Sequence, residues 1–536
     1  MGNQLKKLNI LWISFEDTNP FYGCYGDYTI PTPNLDRLAS EGCLWTNAFA
    51  TAGVCAPARS AVITGLYPIS SGALHMRTTH TNADAAELPT PYETLIPHYV
   101  KCFPEYLRAA GYYCTNNYKT DYQFEPPVSA WDECNVNAHW RNRPEPEQPF
   151  FAVFNLNQTH ESSMWKEKTP EVDIDIENII VPPIYPDTPK VRLALARMYT
   201  RIAANDALLG DLLKQLEEDG LAENTIVMHW SDHGPLPRGK RWPYDLGIRV
   251  PLIVRWPGVI QPETVNHNLV STIDLPSTIL SILGMEVPSY MQGKIFLGPN
   301  ATPPRKYIYA SRDRYDESYD MVRAIRSDKY KYIRNYYPNQ PYFLWIPYRD
   351  KHPIMEEIWR LHLEDKLSES QSLMFQCPRP LEELYDIKKD PFEMNNLASE
   401  PEMVSVKNEL SDALNQWMQK VGDYGVTDEV QMVRSWYPDG IQPQTASPKF
   451  IPLSIDKAGT ETSTGGVFSL PCKIHIYSST QGASIVYRIK GDSENQQWFL
   501  YTNPFTLKKG KNMIEAKAIR IGYKESEITV ATFDIV

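Results

Sequence analysis

With 536 residues, 42% of them hydrophobic and 22% charged, the chain is long enough for two or three domains and has the composition of an ordinary globular protein. Its net charge of −12, with no long basic run to offset it, excludes nucleic acid as the expected partner. No apolar stretch approaches the roughly 18 residues that span a bilayer, and the eight cysteines form no C-x-x-C pair of the kind that holds zinc.

Asn9 to Phe15 is a compact apolar run ending in Glu16-Asp17, the pattern of a buried strand entering a polar loop. It begins almost at the first residue, as in an exported protein whose signal segment has been removed, so a periplasmic or secreted location is expected. Cys55 precedes Pro57 and a helix expected to run through Arg59 to Ile63, and a helix N-terminus favours an anionic group. Phe150 to Leu156 is a second apolar run and ends near Gln158-Thr159-His160. Val191 to Glu218, closed by Gly220, has the spacing of a long amphipathic helix. Thr225 to Trp230 is a third run, leading into Ser231-Asp232-His233-Gly234, and Pro251 to Trp256 is a fourth. Strands alternating with helices predict an α/β fold, a mainly parallel sheet sandwiched by helices, over residues 1–305. Ligands of such sheets bind beyond the carboxyl ends of the strands, so Glu16-Asp17, His160 and Asp232-His233 are expected to meet at one site.

The pattern changes after about residue 305. Met321 to Arg326 and Tyr330 to Arg334 read as antiparallel strands and Val404 to Val421 as a helix, outlining a smaller α+β subdomain over residues 306–437. Residues 438–466, rich in Pro, Gly, Ser and Thr, read as a linker. Over residues 467–536, Ile474/Ile476, Ile485/Tyr487/Ile489 and Ile514/Ala516/Ala518 alternate with period two and predict an appended β-sandwich.

Cys55, Pro57 and Arg59, followed by Thr64-Gly65, form a Cys-x-Pro-x-Arg pattern that resembles the recognition motif of type I sulfatases, members of the alkaline phosphatase-like superfamily. Ala58 stands where many relatives carry Ser, and the resemblance spans roughly residues 8–425. It implies that a maturation enzyme, of the formylglycine-generating or anaerobic sulfatase-maturating kind, oxidises Cys55 to Cα-formylglycine. The hydrate of that aldehyde is the family's nucleophile, and Arg59 stabilises it. Glu16, Asp17, Asp232 and His233 stand where the family carries its cation ligands, with Glu16 in place of the usual first aspartate. Hard oxygen donors favour Ca²⁺, while the imidazole leaves Mn²⁺ or Zn²⁺ open.

Lys119 matches the lysine of the family's Lys-x-His, with Asp121 in place of the histidine. His160 stands like the leaving-group-side histidine of sulfatases, and its near-neutral pKa suits protonation of a departing oxygen. Lys240, ahead of Tyr244 and Arg249-Val250-Pro251, matches a sulfate-contacting lysine. Lys119, Lys240 and Arg59 would supply the local positive field that the net charge lacks. His75, Arg77 and His80 lie in a segment similar to that of heparan N-sulfatases and read either as sugar contacts or as an ordinary polar loop. The aromatic-rich stretch from Tyr336 to Tyr348 reads first as packing between subdomains and second as the floor of a glycan cleft. Residues 306–437 resemble the smaller C-terminal subdomain of sulfatases, and residues 467–536 resemble the immunoglobulin-like module appended to some bacterial glycan-degrading enzymes.

The implied activity is metal-assisted hydrolysis of sulfate esters on a sulfated carbohydrate or polysaccharide. Phosphonate or phosphate ester hydrolysis and N-sulfoglucosamine hydrolysis are the alternatives within the superfamily. A glycan-binding pseudoenzyme, keeping the pocket without turnover, is the alternative from a different class.

Overall fold

The computed structural model describes residues 7–81, 85–165, 172, 174–455, 459–490 and 497–536. The chain gathers into two compact units that do not follow sequence order. One comprises Met1–Arg77, Thr81–Leu88 and Val153–Val426, the other Thr78–His80, Pro89–Ala152 and Thr427–Val536.

The first unit is organised around a sheet in which the strands Phe150–Leu156 (its C-terminal part), Asn9–Phe15, Thr225–Ser231, Arg249–Arg255, Cys43–Phe49 and Thr264–Asn266 follow one another. Asn9–Phe15 and Thr225–Ser231 are buried along their whole length, which is why they read as unbroken apolar runs and not as alternating ones. They pair in parallel and in register from Asn9↔Thr225 to Phe15↔Ser231. Their carboxyl ends therefore stop at the same level, and Glu16-Asp17 and Asp232-His233 emerge side by side.

Arg249–Arg255 runs antiparallel to both Thr225–Ser231 and Cys43–Phe49. The connection after Ser231 contains only the short Asp245–Ile248 helix, too little for the crossover that a parallel return requires. The helix Pro189–Glu218 starts where the Thr188 side chain accepts from the Val191 N–H, with Pro189 in the first helical position. Its apolar stripe of Val191, Leu195, Met198, Ile202, Leu209, Leu212 and Leu216 is buried, each such side chain contributing about 1.5–3 kcal/mol.

A second, antiparallel sheet of the same unit orders Ile308–Arg312, Val322–Arg326, Tyr330–Asn335 and Glu382–Asp386. Leu410, Leu414 and Trp417 of the helix Val404–Val421 pack on Ile325, Tyr332 and Leu384, in one core with Tyr67, Ile69 and Ile273. Because residues on both sides of position 305 share that core, residues 306–426 fall in the same compact unit as the first sheet.

In the second unit, a three-stranded and a five-stranded sheet formed by residues 449–535 enclose Phe450, Phe468, Ile474, Ile476, Leu507, Ile514 and Phe533. The stretch 438–466, expected as a linker, contains the strand Lys449–Leu453, paired antiparallel with Lys473–Tyr477. Its buried Phe450 and Pro452 alternate with exposed Lys449 and Leu453, a period-two face masked in the sequence by flanking turn-formers. This sandwich is not a tethered bead, since residues 89–152 bond to it within the same unit. Lys101 Nζ donates to Gly482 O at 2.6 Å and Ser484 Oγ at 2.8 Å, and Arg108 Nη2 donates to Trp498 O at 2.6 Å. No described helix is long and apolar enough to cross a membrane.

Candidate active site

Cys55 is the first residue of the buried helix Cys55–Thr64, entered from Val54 in extended conformation, so its side chain stands at the positive end of the helix. Its Sγ lies 3.1 Å from His233 Nε2 and 3.9 Å from Asp17 Oδ1. Ligand atoms of Asp17, Cys55, Asp232 and His233 all fall within 4.8 Å of one another, and all four residues are buried. Asp17 adopts φ +48°, a left-handed conformation that costs a non-glycine residue about 1 kcal/mol or more. Three contacts hold it there: the Asp17 N–H donates to Asp232 Oδ1 at 3.0 Å, the Thr18 N–H to Ser231 Oγ at 3.0 Å, and the Glu161 N–H to Asp17 Oδ2 at 2.8 Å.

Arg59 lies one helical turn beyond Cys55, the spacing that brings two side chains to one face. Its Nε donates to Asp232 Oδ2 at 2.8 Å and its Nη1 to Asn155 Oδ1 at 2.9 Å. Asn155 also accepts from Ser14 Oγ at 2.7 Å, tying the ends of two strands together. Lys240 is 1% exposed, with Nζ 2.6 Å from Asp17 Oδ2 and 3.1 Å from Glu161 Oε1. Arg241 grips Glu161 with both Nη atoms, at 3.0 and 2.6 Å, and donates to the Tyr315 hydroxyl at 3.1 Å.

Burial alone would neutralise these groups, and at Glu161 and Lys240 the partners decide otherwise. Burial works to raise the Glu161 carboxyl, but Arg241 and Lys240 outweigh it and hold the group well below the usual carboxylate range. Burial likewise pushes the Lys240 ammonium down, yet Asp17 and Glu161 hold it well above its ordinary value. At His233 burial prevails over Asp232 and Asp17 and lowers the imidazole, leaving a neutral donor ring. Two buried carboxyl groups and a neutral imidazole clustered beside Cys55 fit a divalent cation held by Asp17, Asp232 and His233.

His160 borders this cluster. Its Nε2 is 3.9 Å from both Glu16 Oε1 and Asp17 Oδ2, its Nδ1 is 2.9 Å from Ser162 Oγ, and its side chain is 24% exposed. A cavity of about 410 Å³ opens beside it, lined by Glu16, Asn157, Gln158, His160, Ser162 and Arg201 among others. Arg77 is partly exposed and ion-paired to Asp316. His75 is buried and accepts the Arg314 N–H on Nδ1 at 3.2 Å, a brace for the backbone. Lys119 and His80 belong to the second unit and line one cavity there, of about 700 Å³, with Tyr118, Asp121 and Gln442. In it Lys119 Nζ is 3.7 Å from Asp121 Oδ2.

Sequence reasoning singled out neither Asn155, Glu161, Arg241 nor Tyr315. Two had a local signal: Asn155 breaks the apolar run Phe150 to Leu156, and Glu161 directly follows the candidate acid His160.

A family model described as Sulfatase matches residues 8–131 and 141–285, and one described as N-sulphoglucosamine sulphohydrolase, C-terminal, matches residues 233–358. An ulvan-active sulfatase of Formosa agariphila is 41% identical, over 98% of this chain and 92% of its own. Human N-sulphoglucosamine sulphohydrolase is 25% identical, over 83% of this chain and 95% of its own. Among solved structures, one in complex with its substrate D-glucosamine-2-N,6-O-disulfate superposes with TM-score 0.54 at 20% identity, covering 78% of this chain and 98% of that one. A phosphonate monoester hydrolase of Agrobacterium radiobacter gives TM-score 0.55 at 15% identity, covering 78% and 97%. At such identities the two structures speak for the shared fold.

Proposed function

The chain belongs to the sulfatase family and is a sulfuric ester hydrolase; from that starting point we propose that it acts through a formylglycine derived from Cys55, with a divalent cation, on a sulfated polysaccharide of the ulvan type. The observation that carries the reading is the Cys55 thiol, 3.1 Å from His233 Nε2 among buried carboxylates at a helix N-terminus. The hydrated aldehyde supplies an oxygen nucleophile and the cation supplies Lewis acidity toward a sulfate oxygen. Asp17, Asp232 and His233 would hold the cation, with Glu16 beside them and calcium the first choice.

Lys240 and Arg59 keep fixed positive charge where sulfate oxygens gain negative charge, typically worth ~3–4 kcal/mol each. His160, half open to its cavity, donates a proton to the departing sugar oxygen. Arg77 meets the sugar, and His80 is assigned to it on its motif alone. Lys119 is assigned to the sulfate on its motif alone, and His75 acts by bracing the wall behind. A maturation enzyme is the implied partner, and a polymer substrate puts the protein outside the cytoplasm.

Similarity to an ulvan-active sulfatase over nearly both whole chains supports the polymer. The match of residues 233–358 to an N-sulphoglucosamine sulphohydrolase region favours hydrolysis of an N-sulfate as the second reading. Sulfate release from ulvan oligosaccharides, glucosamine N-sulfate and an aryl sulfate, set beside cleavage of an aryl phosphonate, tests both. Turnover of the oligosaccharides is expected. Release from glucosamine N-sulfate alone would replace the O-sulfate reading, and preference for the phosphonate would overturn the proposal.

A further inference from the structure

We propose that Arg77 binds a second negative charge of the substrate, a carboxylate or a further sulfate on the sugar next to the reacting ester, and so selects polyanionic glycans. This rests on the reading of a sulfated glycan as substrate.

The position of Arg77 is fixed by its neighbours in the chain. Met76 packs in one buried cluster with Cys55 and Tyr315, so Arg77 directly follows a residue of the nucleophile's wall. The Met76 N–H donates to Arg314 O at 2.9 Å and His75 Nδ1 accepts from the Arg314 N–H at 3.2 Å, pinning the backbone on both sides. The side chain is held as firmly. Its Nε is 3.2 Å from Asp316 Oδ1, and its guanidinium carbon lies 4.5 Å over the Tyr348 ring, which stands 6.3 Å from the His160 ring.

Three features turn this held guanidinium into a receptor. Its side chain is 35% exposed, against 4% for Arg59 and 1% for Lys240, so of these cations it is the one open to an approaching chain. Among the described residues, no hydrogen bond engages its Nη atoms, while Asp316 faces Nε. A guanidinium stacked on an aromatic face and fixed at one edge presents its remaining donors as a ready fork for a planar or tetrahedral anion. In a protein of net charge −12, a partly exposed cation stacked on Tyr348, whose ring also neighbours that of His160, is where a polyanion gains attraction.

Three disaccharides with the same reacting sulfate ester separate the two sources of charge. One carries a uronate carboxylate on the neighbouring sugar, one is its carboxyl-reduced counterpart, and one carries a second sulfate in place of the carboxylate. Wild-type enzyme is expected to favour one doubly charged disaccharide over the carboxyl-reduced one by roughly tenfold or more in kcat/KM, chiefly through KM. The preferred one names the anion. In Arg77→Met the ratio falls towards one, and Arg77→Lys, keeping charge without the planar fork, retains part of it. Equal ratios in wild type and Arg77→Met, or a wild type indifferent to all three, would overturn the role of Arg77 while leaving the glycan reading intact. A wild type that releases sulfate from an aryl ester but from none of the disaccharides would remove the glycan reading and Arg77's role with it.

Discussion

Replacing Glu161 by Gln probes the buried ion network most sharply. The side chain is 1% exposed, takes two bonds from Arg241 at 3.0 and 2.6 Å, and lies 3.1 Å from Lys240 Nζ. Glutamine keeps the volume and one acceptor but removes the charge, leaving Arg241 and Lys240 one neutral oxygen where a carboxylate stood, beside the Tyr315 hydroxyl and Asp17. Breaking a buried pair by deleting one partner costs about 3–5 kcal/mol, because the other charge stays buried. The backbone bond from the Glu161 N–H to Asp17 is untouched, so the loss comes from charge and not from loop geometry. Urea unfolding of Glu161→Gln should therefore show a loss in that range, and the pair Glu161→Gln/Arg241→Met should recover most of it. A single variant within about 0.5 kcal/mol of wild type, the scale of an ordinary surface change, would refute the network.

Lys240→Met should lower kcat by a factor on the order of 10²–10³ in sulfate-release assays; a change in KM alone would contradict its assigned place. Dialysis against a chelator should abolish turnover, with Ca²⁺ restoring it. Ion at 100 times its Kd should stabilise the fold by about 2.7 kcal/mol in thermal unfolding, an effect lost in Asp232→Asn. His352 is fully buried and caps the helix Pro353–Leu363 by accepting the Ile354 N–H; burial pushes its imidazole down to about 4, with Glu161 opposing and Arg241 adding. The unfolded chain takes up that proton near pH 6.5 and the fold does not, so stability present above pH 6.5 is lost as pH falls toward 4. His352→Asn keeps a cap and removes the titration, so about 2 kcal/mol of the loss between pH 7 and 5 should disappear from urea denaturation curves.

Much of this was legible from residues alone because strand ends carry the chemistry. The apolar runs ending in Glu16-Asp17 and Asp232-His233 are contiguous in sequence, and parallel pairing in register from Asn9 to Phe15 brings those ends together. Cys55 and Arg59 were readable for a similar reason, being one helical turn apart. Glu161 was not, since its role exists only once Lys240 and Arg241, some 80 residues away, fold against it. Nor was the second unit, in which residues 89–152 join the C-terminal sheets through contacts such as Lys101 to Gly482. Such long-range pairings leave no periodic mark. Tyr348 shows the middle case: the aromatic stretch was visible, but its place between Arg77 and His160 comes from the tertiary fold.

The state of residue 55 in active enzyme tests the central claim most directly. Mass spectrometry of the peptide bearing it, from protein made in a host with the maturation enzyme, should find a residue about 18 Da lighter than cysteine, sulfur having been exchanged for oxygen with loss of two hydrogens. Enzyme that releases sulfate at full rate while every copy of that peptide retains the intact thiol would contradict the account.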